Sequence, residues 1–108
     1  MKNETTKNLN EPSVYILLSL LQSPLSGYEI TRVVMEITSG RLEIKTGTMY
    51  PTLKRLSDNG YIKMIDVDKV ERNKKIYEIT NKGKEAVEGE VNALKNKLLE
   101  IQTAITSS

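Results

Sequence analysis

The stretch from residue 45 to 62, KTGTMYPTLKRLSDNGYI, constrains the fold more than any other part of this 108-residue chain. Apolar side chains at Met49, Leu53 and Leu56 are spaced four and three residues apart, which predicts one buried face of a helix. Asn59-Gly60 predicts the end of that helix, because both residue types tolerate the left-handed conformation that follows helices.

The opposite side of this helix is polar and basic. Pro51 lacks an N–H and is best tolerated in a first turn, so we expect an irregular start near Thr46 or Gly47. The residues expected to face outward are Thr48, Tyr50, Thr52, Lys54 and Arg55. Hydroxyls and positive charge on a helix that packs on one side suit the major groove of DNA. An ordinary solvated surface helix has the same pattern, so the helix alone leaves both interpretations open.

Two helices are predicted before this one. Pro12-Ser13 opens an apolar run that should form a buried helix ending at Ser23-Pro24. Ser26 and Glu29 have capping-box spacing, and the apolar positions that follow predict a second helix ending at Ser39-Gly40. Residues 41–45 alternate polar and apolar, which predicts a brief strand.

Two strands are predicted after it, at residues 61–67 and 76–79, joined by the charged segment DKVERNKK. The order helix, short strand, helix, strand, basic loop, strand is that of a winged helix. We therefore predict an α+β, mostly α fold: a winged helix-turn-helix with a long C-terminal dimerisation helix. The basic side chains expected to contact phosphates from the wing are Lys69, Arg72, Lys74 and Lys75.

The last predicted helix begins at Thr80 or Asn81 and runs to about Ile105. Its apolar positions follow a heptad pattern, Val87, Val91, Leu94, Leu98, Ile101 and Ile105. A helix of that length exceeds what so small a domain can cover, so we expect a homodimer through this seam. The expected organisation is a flexible arm at 1–12, the winged helix-turn-helix at 13–80 and the dimerisation helix at 81–108.

Charge is unevenly distributed along the chain. Residues 41–84 carry a net charge of +5 and the remainder −3, although the whole chain is only +2. A basic middle indicates a polyanionic partner. The chain has no Cys and no His, which removes disulfides, the usual metal ligands and the commonest catalytic bases. We expect no metal, no cofactor, no enzymatic activity, no membrane span and a cytoplasmic location.

Three segments carry a family resemblance: GYEI at 27–30, the stretch at 45–62, and KKIYEITNKGKEA at 74–86. Together they resemble the PadR family of bacterial transcriptional regulators, in its short form with a single C-terminal helix. The resemblance implies a homodimeric repressor of a palindromic operator on double-stranded DNA. It implies DNA contacts from Tyr28, Thr46, Gly47, Thr48, Tyr50, Pro51, Lys54, Arg55, Lys74 and Lys75. Arg55 is the better candidate for a bidentate contact to guanine, but the pattern leaves open whether Lys54 or Arg55 faces the groove.

The resemblance also implies that the dimer interface can bind a small aromatic effector, and it leaves open whether the effector releases the DNA or strengthens binding. The candidate lining residues are Tyr15, Leu18, Val91, Leu94 and Leu98, each of which also fits simple packing. The chain has no Trp and no Phe to stack such a compound. The alternative function is a winged helix used only for protein–protein interaction, which would favour an apolar or acidic outer face on residues 48–55.

Overall fold

The computed structural model describes residues 9–68 and 74–108, so part of the predicted arm and the wing residues Lys69 and Arg72 lie outside the described residues. The elements are α1 (Glu11–Ser19), β1 (Leu25–Ser26), α2 (Gly27–Ile37), α3 (Thr46–Asp58), β2 (Ile62–Asp68), β3 (Lys74–Ile79) and α4 (Asn81–Ser107). Three helices and a small antiparallel sheet, followed by one long helix, confirm the predicted fold class. Helix α1 begins at Glu11, inside the range assigned to the arm.

Side-chain caps define three of the helix starts. The Asn10 side chain accepts the Ser13 N–H at 3.0 Å and opens α1. Ser26 and Glu29 form the predicted capping box at α2, each side chain accepting the other's backbone N–H. Thr80 Oγ1 accepts the Gly83 N–H at 3.1 Å and opens α4. Each cap satisfies an amide that the first turn of a helix leaves without a backbone partner.

The core lies between α1, α2, α3 and the sheet. It is built from aliphatic side chains of every helix, among which Ile16, Leu17, Ile30, Leu53 and Leu56 are almost completely buried. All three apolar residues predicted on the inner face of α3 are buried there. Burying each such side chain contributes roughly 1.5–3 kcal/mol, so this face holds α3 firmly in place.

The predicted strand at 41–45 is wrong. That segment is an extended loop, and Ile44 fills the core without joining a sheet. The short strand is β1, in which Leu25 and Ser26 pair with Tyr77 and Ile76 of β3, giving the sheet order β1-β3-β2. Alternating polarity marks any extended segment with one buried side chain, whereas strand pairing depends on which backbone reaches the free edge of β3.

Two further details of the helices differ from the predictions. Helix α1 ends at Ser19 rather than near residue 23, and the Ser19 hydroxyl donates to the Ile16 carbonyl at 2.7 Å. Thr52 is buried, although it was expected to face outward. It lies three residues after Met49 and four before Leu56, so helical spacing places it on the core side despite its hydroxyl.

Helix α4 extends well beyond the domain. Its 27 residues correspond to about 40 Å, and the buried positions are confined to Gly83, Ala86 and Val87. From Val91 onward every residue is exposed. Within residues 9–68 and 74–108, no helix combines the length and the apolar character that crossing a membrane requires.

Candidate nucleic-acid interface

The side of α3 opposite the core carries Gly47, Pro51, Lys54 and Asp58, all of them exposed. The Lys54 ammonium lies 3.2 Å from the Asp58 carboxylate in an exposed pair. Such pairs contribute at most about 1 kcal/mol, so Lys54 can leave Asp58 at little cost when another anion approaches. The Lys54 side chain therefore points away from the core and can contact a ligand bound to the exposed side of α3.

Arg55 points sideways along the domain. Its Nη2 donates to the Ser13 hydroxyl at 3.3 Å, which links the last turn of α3 to the first turn of α1. Ser13 is buried, so its hydroxyl has little access to water, and the Arg55 guanidinium supplies a hydrogen-bond donor in its place. The sequence left open which basic residue faces outward, and the structure directs Lys54 away from the core and Arg55 toward α1.

A cavity of about 290 Å³ joins the start of α2, the exposed side of α3 and the first residues of β3. Its lining consists of Ser26, Gly27, Tyr28, Tyr50, Lys74, Lys75 and Tyr77. A second cavity of about 460 Å³ continues from Tyr28 and Tyr50 along the loop before α3 to Thr46. The lining of the two cavities thus includes five of the predicted contact residues, Tyr28, Thr46, Tyr50, Lys74 and Lys75.

Tyr28 and Tyr50 are the exposed aromatic residues of this surface, at 76% and 55% of their full accessible area. Tyr50 packs against Gly27: a β-carbon on that glycine would lie 3.4 Å from the Tyr50 hydroxyl oxygen. Tyr77 lines the same cavity. The pKa of Tyr77 is raised, mainly by burial of its side chain and to a smaller extent by the nearby Tyr50. A β-carbon at position 27 would make ordinary van der Waals contact with Tyr50, so the tyrosine stands directly beside the start of α2.

The remaining tyrosines have packing roles. Tyr61 and Tyr77 are buried, and Tyr15 is half-buried against the core. The Tyr61 hydroxyl has no hydrogen-bond partner among the described residues. Its ring lies under the Lys82 ammonium, 5.1 Å from ring centroid to nitrogen.

Glu29, the acidic residue in the first turn of α2, has a structural role in the capping box with Ser26. The Ser26 backbone N–H, which donates to the Glu29 carboxylate at 2.9 Å, is the main cause of a lowered pKa for Glu29. Burial is the next-largest effect and raises this pKa, whereas the Ser26 hydroxyl and the positive charges of Lys74 and Arg32 each lower it by less. The carboxylate is thereby held in the capping box, close to the basic start of β3.

The residues predicted at a dimer interface and effector pocket lie far from this surface. Val87 is buried in the domain, whereas Val91, Leu94, Leu98, Ile101 and Ile105 are 42–70% exposed. Tyr15 and Leu18 are half-buried on α1. Among the described residues, no group of acidic side chains is arranged to hold a metal ion.

The fold and this surface define a winged helix-turn-helix domain. Residues 7–89 match the model of the transcriptional regulator PadR-like family, so the chain belongs to that family. This confirms the resemblance carried by the three sequence segments.

Individual relatives agree with this assignment. The chain is 36% identical over 73 residues to the negative transcriptional regulator PadR of Bacillus subtilis, covering 66% of this chain and 40% of that protein. The chain therefore spans less than half the length of this curated relative. A transcriptional regulator from Clostridium thermocellum superimposes with a TM-score of 0.74 at 23% identity, covering 95% of this chain and 97% of that one. The structure of Bacillus subtilis PadR in complex with operator DNA matches with a TM-score of 0.66 at 31% identity, over 74% and 46% of the two chains.

Proposed function

We propose that this protein is a homodimeric transcriptional repressor that binds a palindromic operator. In this proposal α3 enters the major groove, and the start of β3 with the adjoining wing contacts the DNA backbone. The protein acts by binding rather than by catalysis, and it does so in the cytoplasm. Membership of a family of transcriptional regulators supports this proposal. So does the similarity to a relative of 31% identity whose structure contains operator DNA.

The observation that carries the proposal is the continuous surface around the 290 Å³ cavity. Three separate parts of the chain contribute to it: the start of α2, the outer side of α3, and Lys74-Lys75 of β3. Two exposed tyrosine hydroxyls and two lysines on one surface offer hydrogen bonds and positive charge to successive phosphates. Because the contributing segments are held by the core, the surface is preorganised for a rigid polyanion.

The start of α3 supports a phosphate-binding role. Lys45 is the N-cap and makes no side-chain cap hydrogen bond, so the amides of Thr46 and Gly47 lack a capping side chain. Helix N-termini of this kind attract phosphate through their N–H groups and the helix dipole. We assign Thr46, Gly47, Thr48 and Pro51 to the backbone side of the interface, with Tyr28 and Tyr50 beside them.

Lys54 is our candidate for base contact. It lies opposite the core, and only an exposed pair with Asp58 holds it. Arg55 had been the better chemical candidate because a guanidinium can bind guanine with two hydrogen bonds. Its contact with Ser13 supports a different role, in which Arg55 keeps α1 and α3 in register and reaches only the edge of the DNA.

Dimerisation through α4 completes the proposal. Residues 91–105 present an apolar seam without a covering element in the described chain, and a second copy related by a two-fold axis would bury it. An effector pocket lined by Tyr15, Leu18, Val91, Leu94 and Leu98 would likewise need the second copy, because the last three are exposed in a single chain.

Fluorescence anisotropy tests the proposal. Purified protein is titrated into labelled DNA from upstream of its own gene and into unrelated DNA, each at two salt concentrations. We expect tight, salt-sensitive binding that prefers the upstream DNA, because released counterions make phosphate contacts salt-dependent. Absence of binding to either DNA at low salt would overturn the proposal and favour a protein-interaction module.

A further inference from the structure

We propose that the junction between α3 and α4 is a positioning device that sets the half-site spacing this protein accepts. The junction, here called the latch, consists of Thr80, Lys82 and Gly83 packed on the turn at residues 59–61. The inference rests on the proposed function, since it concerns how the dimer helix holds the recognition helix. None of the latch residues belongs to the proposed DNA-contact set.

Thr80 provides the central hydrogen bonds of the latch. Its backbone N–H donates to the Tyr61 carbonyl at 3.0 Å. Its hydroxyl lies 2.6 Å from the Gly60 carbonyl and 3.0 Å from the Tyr61 carbonyl, so one hydroxyl hydrogen is shared between them. The same oxygen accepts the Gly83 N–H at 3.1 Å. One side chain thus caps α4 and ties it to the turn that follows α3.

Lys82 adds a second connection from the same turn of α4. Its ammonium donates to the carbonyl of Asn59, the C-cap of α3, at 2.7 Å. A cation near the last carbonyls of a helix is favoured by the helix dipole. The ammonium also lies over the Tyr61 ring, and the Lys82 side chain passes along Gly60.

Gly83 allows the two backbones to approach each other. A β-carbon at this position would overlap the Tyr61 carbonyl oxygen and would lie 2.6 Å from Cγ1 of Ile79. No side chain fits there unless α4 moves. The first turn of α4 is therefore held against the end of α3 by hydrogen bonds, charge and close packing together.

The length of α4 turns this local contact into a geometric constraint. The end of the apolar seam, Ile105, lies 18 residues beyond the last buried position, Val87, which makes a lever of about 27 Å. A tilt of about 10° at the latch would move the far end by about 5 Å. One base-pair step is roughly 3.4 Å, so a tilt of that size would change the spacing between the two recognition helices by more than a step.

Two variants loosen the latch while leaving the core intact. Thr80→Val keeps the side-chain shape and removes the hydroxyl. Thr80→Ser, which retains the hydroxyl, is its control. Lys82→Met keeps the aliphatic stem and removes the charge. Lys84→Met is the matched control for Lys82→Met. Lys84 is an exposed lysine on the same turn of α4, and its substitution changes the net charge by the same amount.

The first experiment measures spacing preference. A palindrome is selected by the wild-type protein from random duplexes, and its centre is then shortened or lengthened by one and two base pairs. We expect wild type, Thr80→Ser and Lys84→Met to lose about tenfold or more in affinity per step, because half-site spacing reflects the rigid geometry of the dimer. Thr80→Val and Lys82→Met should bind all spacings within about threefold of one another, as dimers of unchanged size.

The second experiment needs no DNA. The chain has no Cys, so Asp58→Cys in each background allows one spin label per subunit at the end of α3. We expect a narrow distance distribution between the two labels in wild type and Lys84→Met, and a clearly broader one in Thr80→Val and Lys82→Met.

The possible outcomes separate the two proposals. If all variants show equally sharp spacing preference and equally narrow label distances, the proposed role of the latch is overturned, whereas the proposal that the protein is a repressor stands. Failure of wild type to enrich any sequence, together with broad distances in the loosened variants, would overturn the repressor and retain the latch as a structural coupling. A monomeric wild type would overturn both.

Discussion

Helices α3 and α4 carry the same kind of apolar stripe, with spacings of three and four residues, but they meet different surroundings. In α3 the stripe at Met49, Leu53 and Leu56 is buried by the rest of the chain. In α4 the buried residues are Gly83, Ala86 and Val87, and the seam beyond them is exposed to solvent. Identical periodicity therefore indicates a helix with one buried face, and says nothing about whether the same chain or another one covers it.

The polar faces of the two helices differ as well. The outer side of α3 offers Lys54 and a helix start without a capping side chain, next to Lys74 and Lys75. The start of α4 is capped by Thr80 and anchored by Lys82. An N-terminus that is left open supports ligand binding, whereas one that is closed by its own chain supports a structural role.

The largest expected effect comes from charge in the exposed seam. Leu98→Asp places one carboxylate per subunit in the proposed interface, at a cost of about 3 kcal/mol or more for each. We expect the dimer to dissociate in sedimentation or light-scattering measurements. Asn96→Asp is the control, since it adds a carboxylate on the other side of α4 and should leave the dimer intact. A dimer that survives Leu98→Asp would show that the seam is not the interface.

A truncation in the covered stripe should act on folding instead. Leu53→Ala leaves a cavity in the core and is expected to lower the free energy of unfolding by about 2–5 kcal/mol. Denaturant titration measures the change. The same truncation at Leu98, measured in dilute protein where monomers dominate, should cost much less because that side chain is already exposed. Similar losses at both positions would contradict the contrast between the two helices.

The outer side of α3 can be tested with a smaller change. Lys54→Ala should weaken specific DNA binding by about 1–3 kcal/mol if Lys54 contacts a base, and should leave stability almost unchanged. Arg55→Ala should affect stability more than Lys54→Ala, because it removes the contact with Ser13. Anisotropy and thermal melting separate the two effects, with Lys84→Ala as the control for charge. The reverse ranking in DNA affinity would assign base contact to Arg55.

The smallest effect concerns pH. The pKa of Glu29 is lowered in the folded protein, so the capping box stabilises the fold above the ordinary pKa of a glutamate. This contribution is lost as the pH falls below the ordinary pKa of a glutamate and through the lowered pKa of Glu29. Glu29→Gln should therefore flatten the decline of the melting temperature in acid, whereas Glu85→Gln on exposed α4 should not. Parallel curves for wild type and Glu29→Gln would rule out this linkage.

The sequence was most informative where structure depends on near neighbours. The capping box at residues 26–29, the buried face of α3 and the start of α4 were all predicted correctly. These features arise from contacts three or four residues apart, which a sequence displays directly. The three family segments indicated the family, and the match over residues 7–89 confirmed it.

The errors occurred where a residue has a choice of distant partners. The strand expected at 41–45 is a loop because Leu25 and Ser26 occupy the edge of β3. Thr52 is buried because its position on the helix outweighs its polarity. Arg55 bonds to Ser13, 42 residues away, and no local pattern indicates that contact.

For this protein the sequence alone determined where the four described helices lie, the capping box of α2 and the basic middle of the chain, because these follow from periodicity, local spacing and composition. Only the tertiary structure decided which basic residue of α3 faces outward and how α4 is fastened to the turn after α3. Those features depend on surfaces that meet across tens of residues, where packing and the direction of single hydrogen bonds determine the result.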